Sequence, residues 1–500
     1  MRQVLTGGQM RDMERRYFAA SGASSLELME RAAAGVVRVL HGMEGVAERI
    51  AIFACGPGGN GGDGFAAARL HAQHGGKAIV VPLRPEAALA GDARTNCELA
   101  RTTPGVAFAG LEDLDRLPPP AVWVDAMFGI GLKRPLEPEY LPLVRRMAED
   151  AARGARVLAV DVASGLDADT GRALGEAVRA TDTVTFECPK AGHLMEDGLD
   201  LTGHLHVVPI GIPEALRPPD ALLHPSIEDV RSRLKPRARN SHKGSYGHLL
   251  IVAGSRGMAG AAALTALGAL KSGAGLVTVA CPESIVSAVQ AVAPCAMCLP
   301  MPERDGAIGA LALEPLERAV AGANALAVGP GLTTRAAPAV LRCLLESGLP
   351  AAVDADALNL MARDRSLIGL LMSHHVLTPH PREAERLLGT RPSGPIEGAM
   401  ALRALGATAL YKGASSVIAG DALYIRTDGT PGMATGGTGD VLTGIIGALL
   451  AQGYPPTEAA FLGAVAHGAA GERAAARLGA MAMTARDLAD HLHEAWGDAH

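Results

Sequence analysis

The stretch Thr435-Gly436-Gly437-Thr438-Gly439-Asp440, followed by the uncharged run Val441 to Leu450, constrains this chain most strongly. Its glycines permit a tight turn that presents backbone N–H groups, and the apolar run behind them predicts a buried helix starting at Gly439. Such a helix points its positive end at whatever the loop holds, which suits a phosphate. Asp440 at that start admits two readings. It complements the helix dipole, or it is a base that takes a proton from a hydroxyl attacking a phosphoryl group. No Gly-Lys-Ser/Thr occurs in the chain, so the loop is not a P-loop.

The N-terminal half repeats the alternation of strand, glycine turn and helix. Residues 1–48 read as helical, with Leu26, Met29, Ala33, Val36, Val37 and Leu40 at helical spacing and a capped start at Ser24. They show no chemistry beyond a dimer face. Ile50–Cys55 reads as a buried strand, followed by six glycines within Gly56–Gly64, together with Asn60 and Asp63, and by a helix from Phe65 to about Gln73. Strand, glycine loop and helix form the phosphate cradle of doubly wound sheets. The dinucleotide fingerprint also wants an acid at the end of the next strand, and Ile79 to Arg84 supplies none, which disfavours a redox Rossmann domain. A strand over Ala121–Val124 ends in Asp125 and precedes a glycine turn with two cations, Phe128 to Pro135. A strand over Arg156–Val160 runs into Asp161, Ser164 and Asp167. Asn60, Asp125 and Ser164 offer only hard oxygens, which favours an alkali or alkaline-earth ion over zinc. Thr183–Phe186 and Leu205–Val208 close the sheet, and Lys190 falls in a turn.

Length matters next. Five hundred residues exceed one ordinary core, so two or more domains are expected. Pro209 to Arg239 carries six prolines and little periodicity at its ends, which sets a boundary near residue 220. A net charge of −6 gives no global attraction to nucleic acid or an acidic membrane. Seven cysteines without framework spacing, with one lone C-x-x-C at Cys295–Cys298, argue against a disulfide or metal scaffold. The sequence shows no signal-peptide core and no apolar run of the ~20 residues that cross a bilayer, so a cytoplasmic protein is expected. In the second half, strands are expected at His248–Val252, Leu276–Ala280, Ala325–Val328, Ala351–Val353, Val376–Thr378 and Ala409–Tyr411, with a hairpin on Gly420-Asp421. Lys412 with Ser415 and Ser416 reads as a nucleotide-phosphate lip, and His380 stands rigidly between two prolines. The halves share no period, so they are distinct rather than duplicated.

Gly436 to Asp440 before a buried helix resembles the anion-hole and catalytic-base motif of the ribokinase-like fold. With Gly58 to Gly64, Asp125 to Pro135, Asp161 to Asp167, Asp354 to Asn359, Thr378 to Pro381 and Gly436 to Asp440 in this order, the chain resembles the bifunctional NAD(P)H-hydrate repair enzymes over nearly its whole length. Two departures stand out: Gly59 occupies a position where that family usually has Asn, and Ala163 one where it has Pro.

The resemblance implies an α/β chain with an N-terminal Rossmann-like three-layer epimerase domain, residues 1–218, a linker 219–240, and a C-terminal ribokinase-like dehydratase domain, residues 241–500. It implies a potassium ion on Asn60, Asp125 and Ser164. Gly59, Asn60, Gly61, Gly62 and Asp63 would hold the hydrated nucleotide, with Gly129, Ile130, Gly131, Leu132, Lys133, Arg134 and Pro135, and with Asp161 as the epimerase acid/base. In the second domain Ala261, Gly331, His380 and Asp440 would contact the same ligand, with Asp440 as base. Lys412, Gly413, Ala414, Ser415, Ser416 and Gly439 would hold ADP with magnesium. The partners implied are small molecules (NADH hydrate, NADPH hydrate, ADP or ATP), with no nucleic acid and no membrane, in a homo-oligomer. Two other readings remain open on the residues: a ribokinase-like vitamin kinase fused to a non-catalytic nucleotide-binding domain, and an N-terminal half that only senses nucleotide.

Overall fold

Short apolar or alternating runs of three to seven residues, many of them ending at glycine or aspartate, set the strands of both halves. The computed structural model describes residues 1–44, 46 and 49–497; residues 45, 47 and 48, part of the expected helical segment, lie outside the described residues. The chain divides into two compact units, Arg2–Leu222 and Leu223–His500.

In the first unit the strands are β1 (Ile50–Cys55), β2 (Lys77–Pro82), β3 (Val106–Phe108), β4 (Val122–Ala126), β5 (Arg156–Val160), β6 (Asp182–Phe186) and β7 (His204–Val208). They form one sheet in the order β3-β2-β1-β4-β5-β6-β7, with every neighbouring pair parallel. The chain winds outward from β1 to β3 and then returns to β4, so a crevice opens where β1 and β4 end side by side, Ala54 opposite Asp125.

Strand pleating divides the core. Ala51, Phe53 and Cys55 face helices α1 (Gly7–Ser21), α2 (Ser25–Gly42), α3 (Gly59–Gln73) and α4 (Gly91–Arg101), while Ile52, Ala54 and Trp123 face α5 (Leu141–Ala152). The result is a three-layer sandwich. Ser24 caps α2 through a reciprocal pair with Glu27, as its sequence predicts. α3 begins six residues before the expected Phe65, because Gly58 is extended and the glycines after it already turn as helix. A Cβ on Gly61 would lie 1.7 Å from the Gly56 carbonyl oxygen, whereas one on Gly59 would meet nothing within 4 Å. Gly61→Ala is therefore expected to destabilise this unit by about 3 kcal/mol or more, and Gly59→Ala by under about 1 kcal/mol, both measured by denaturant unfolding.

The second unit has strands β8 (His248–Val252), β9 (Leu276–Pro282), β10 (Met297–Met301), β11 (Ala325–Val328), β12 (Ala351–Val353), β13 (His375–Leu377), β14 (Thr408–Tyr411), β15 (Ser416–Ala419) and β16 (Leu423–Arg426). Their order is β16-β15-β14-β13-β12-β11-β8-β9-β10. The sheet is parallel except where β15 runs against β14 and β16, the expected hairpin. Helices α6 (Ala259–Lys271) and α7 (Thr438–Ala451) pack together, and every residue from Val441 to Ala451 is buried. The presumed linker is partly ordered: Leu222–His224 forms a short strand whose Leu223 pairs with Tyr424, and Ser226 caps a helix at Ile227–Arg231. No helix among the described residues is long and apolar enough to cross a membrane.

Candidate active sites

At the crevice of the first unit lies a cavity of about 650 Å³. Gly58, Gly59, Asn60 and Asp63 form one wall, the loop Met127 to Arg134 another, and Asp161 lies past the end of β5. Arg11 and Glu14 of α1 complete the wall. That corrects the reading of residues 1–48 as free of chemistry; spaced three apart, the two side chains share a helix face. Gly61, Gly62 and Pro135, expected beside the ligand, are absent from this wall. Gly61 turns onto the Gly56 backbone and Gly62 onto Met29.

Asp161 adopts a left-handed φ of 63°, which tips its carboxylate off the strand and into the crevice. The Lys190 ammonium, fully buried, sits 2.7 Å from Asp161 Oδ1. Lys190 also donates to Thr185 Oγ1 at 2.8 Å and to the Phe186 and Cys188 carbonyls, and Thr185 donates to Asp161 Oδ1 at 2.9 Å. The Lys190 N–H donates to His193 Nδ1, which leaves the proton on His193 Nε2 to be donated to the Asp161 carbonyl at 2.9 Å. Burial would raise the Asp161 carboxyl, but Lys190, His193 and Thr185 outweigh it and hold it below the usual carboxylate range. Burial also raises Asp63 well above that range, and the nearby carboxylates of Asp161 and Glu14 add to it. Lys190 is the residue that sequence reasoning missed: read as part of a turn, it is the counter-ion of the site.

Asp125 and Ser164 meet behind this wall. Ser164 Oγ donates to Asp125 Oδ1 at 2.6 Å, the Ser164 N–H to Oδ2 at 2.8 Å, and the Phe128 N–H to Ser164 Oγ at 3.0 Å. Burial pushes the Asp125 carboxyl up to about 6. Asn60 Oδ1 lies 3.1 Å from where a Cβ on Gly129 would stand, and its buried Nδ2 has no hydrogen-bond partner among the described residues. A buried carboxylate without a cation, a hydroxyl and an amide oxygen fit a hard monovalent ion.

In the second unit, Gly437 adopts a φ of 96° at the N-cap of α7, and no side chain among the described residues caps the helix, so its first N–H groups face the loop Thr435 to Thr438. Lys412, past the end of β14, donates to Asp354 Oδ1 at 2.7 Å, and Thr443 Oγ1 lies 2.6 Å from Asp354 Oδ2. A Cβ on Gly439 would stand 3.4 Å from Lys412 Nζ, so this pair flanks the helix start. Burial and the negative charges of Asp354, Asp356 and Glu383 push Asp440, in the first helical turn, up to about 7 against the pull of Lys412. His467 Nε2 donates to the Thr438 carbonyl at 2.9 Å and is neutral, since burial lowers it to about 3.

His380 is half exposed and caps a helix at Pro381–Leu388, accepting from the Arg382 N–H at 3.1 Å, while its own N–H donates to Glu383. Ala261 and Gly331 touch, since a Cβ on Gly331 would lie 2.9 Å from Ala261 Cβ. In the expected nucleotide lip, Gly413 and Ala414 are exposed and Ser415 and Ser416 buried. Asp354 and Thr443 were not singled out in the sequence as site residues; only folding brings them to Lys412.

A family profile described as "YjeF-related protein N-terminus" matches residues 25–192, and one described as "NAD(P)H-hydrate dehydratase" matches residues 249–494. The bifunctional NAD(P)H-hydrate repair enzyme Nnr of Moorella thermoacetica is 40% identical over 510 residues, covering 98% of this chain and 96% of its own. The chain belongs to the bifunctional NAD(P)H-hydrate repair enzymes. A second member, from Escherichia coli, is 35% identical over 482 residues, covering 93% of this chain and 88% of its own. Among solved structures, an ADP/ATP-dependent NAD(P)H-hydrate dehydratase from Bacillus subtilis, co-crystallised with ATP and Mg²⁺, aligns with 29% identity and a TM-score of 0.45, covering 55% of this chain and 98% of that one. As in that family, the first unit is Rossmann-like and the second ribokinase-like. Membership favours hydrate repair over the vitamin-kinase and sensor readings.

Proposed function

We propose that the second unit dehydrates the S epimer of NADH or NADPH hydrate at the expense of ADP and that the first interconverts the R and S epimers. The observation that carries the reading is Asp440 in the first turn of a side-chain-uncapped helix, beside Lys412 and poised near neutrality. Asp440 takes the proton of the ring C6 hydroxyl as that oxygen attacks the terminal phosphate of ADP, giving AMP and a C6 phosphate ester. Hydroxide leaves poorly and phosphate well. The ring nitrogen expels the phosphate, C5 loses a proton, and the reduced nicotinamide is restored. The free N–H groups at Gly437 to Asp440 and the Lys412 ammonium hold the transferring phosphate. Gly413, Ala414, Ser415, Ser416 and Gly439 hold the rest of ADP; Ala261, Gly331 and His380 contact the hydrate.

A magnesium ion bound with ADP would screen its phosphates, and the oxygens of Asp440 and Asp356 on this edge make no ion pair among the described residues. In the first unit Asn60, Asp125 and Ser164 would hold potassium, whose charge would neutralise Asp125 behind the cavity. Gly59, Asn60, Asp63 and the loop Gly129 to Arg134 bind the hydrate there, and Asp161 exchanges the proton. A cytoplasmic location and a homo-oligomeric assembly complete the reading.

The test starts from mixed R and S NADH hydrate with ADP, magnesium and potassium, following the near-ultraviolet absorbance of the reduced nicotinamide. Full recovery supports both activities. Recovery that halts once the S epimer is spent removes the epimerase, and no recovery with ADP or ATP, with a stable phosphorylated product instead, would establish a kinase.

A further inference from the structure

We propose that Glu14 of α1 is a catalytic residue of epimerisation, the proton donor that works opposite Asp161. The assignment rests on the epimerase reading above and extends it to a residue ahead of the segment, 25–192, that the family profile matches. Inversion at C6 requires its C–O bond to break and to re-form on the other face of the ring. The nitrogen lone pair moves into an N1–C6 double bond as the hydroxyl leaves. Leaving as water requires a proton from an acid. A water returning to the opposite face must give a proton to a base, and those two transfers restore the proton count. One carboxyl cannot be protonated and ionised at once, so the chemistry needs a pair held in opposite states.

The cavity supplies that pair. Glu14 and Asp161 line the same 650 Å³ space. α1 is fixed over it at two points: the Gly7 N–H donates to Asp169 Oδ1 at 2.6 Å, and Arg11 donates to the Ile130 carbonyl at 3.4 Å. Asp161 is ion-paired to buried Lys190, whereas the Glu14 carboxyl makes no hydrogen bond or ion pair among the described residues. The charged groups facing Glu14 are Lys190, Asp161 and Arg11, with Asp63 near by. Burial raises Glu14, Asp161 raises it further, and Lys190 and Arg11 only partly offset this. Asp161 is thus pushed toward its ionised form and Glu14 toward its protonated one. Asp63 shares the wall but belongs to the glycine turn that shapes it, and the experiment separates the two.

The experiment measures exchange of R and S NADH hydrate by the full chain with potassium present, alongside dehydration of the S epimer. Glu14→Gln is expected to lower kcat for exchange by about 100-fold or more, to move KM by less than about threefold, and to flatten the alkaline limb of the pH profile, where the wild-type acid loses its proton. Glu14→Asp, which keeps a carboxyl, is expected to recover part of the rate and the limb, and it stands in should the Gln variant fold poorly. Dehydration of the S epimer stays at the wild-type rate. Exchange within about threefold of wild type in Glu14→Gln overturns the assignment. So does an intact rate there combined with a lost rate in Asp63→Asn, which would move the role to Asp63. A wild-type chain that never exchanges the epimers overturns the epimerase reading itself, and this assignment with it.

Discussion

Asp440→Asn is expected to lower dehydration of the S hydrate by about 1,000-fold or more while R and S exchange continues at its wild-type rate. Asn keeps the size and hydrogen-bonding reach of Asp440 but cannot take the C6 hydroxyl proton. A mere contribution to the helix dipole would be worth only about 1 kcal/mol, or under tenfold, so the magnitude decides between the two readings that the sequence left open. Loss of both activities to a similar extent would refute the role. Because the base must be ionised and burial sets it near 7, kcat/KM for dehydration should fall as pH drops through about 7.

The same substitution carries a stability signature of opposite sign. The Asp440 carboxyl is raised from 3.8 to about 7 in the folded chain, so its contribution is fully favourable below about 4 and is lost as pH rises through about 7. Asn has no charge to lose. The variant should therefore match wild type near the acid end and exceed it above neutrality by about 1–2 kcal/mol, a value reduced because the residue keeps partial contact with solvent. That corresponds to about 2–8 °C in Tm for a unit of this size, readable in thermal scans without nucleotide. A base kept uncomfortable in the resting enzyme is the cost of having it ready for the hydroxyl.

Much of this was legible in the chain. Short apolar strands punctuated by glycine or aspartate predicted both parallel sheets, because local pattern and tertiary burial agree there. Gly437 to Asp440 announced its own geometry, since few other residues could make that turn. What escaped the sequence depends on contacts made far along the chain. Lys190 looked like a turn residue because its partner, Asp161, is remote in sequence and close only after β5 and β6 pair. Glu14 belongs to no motif, and nothing local says that its helix face covers a cavity. Asp354 stood out in the sequence as part of a motif, yet its bond to Lys412 across the sheet edge is what fixes the ammonium beside Gly439. The early start of α3 escaped for another reason. Glycines disfavour helix in isolation, and here the close approach of Gly61 to Gly56 overrides that preference.

Lys190→Met is expected to cost the first unit about 3–5 kcal/mol and to remove epimerisation, even though Lys190 contributes no surface to the cavity wall. Methionine fills much of the same volume, so packing changes little. What disappears is the ammonium paired with the buried Asp161 carboxylate, together with donors to Thr185 and to two carbonyls. Asp161 would then be governed by burial, with the Thr185 hydroxyl left to oppose it, and its carboxyl would shift upward. The sign of the pH dependence follows. In wild type the depressed Asp161 stabilises the fold above its ordinary range and gives that up only in acid; in the variant, with that carboxyl raised instead, stability should rise as pH falls. The measurement is unfolding of the first unit by hydrogen exchange at the β5 and β6 amides, across pH. Adding Asp161→Asn to Lys190→Met should recover part of the lost stability, because the uncompensated charge is gone, while exchange of the epimers stays absent. Additive losses in the double variant would mean that the two residues act separately, and the ion pair would then not be what holds Asp161 in its ionised, left-handed position.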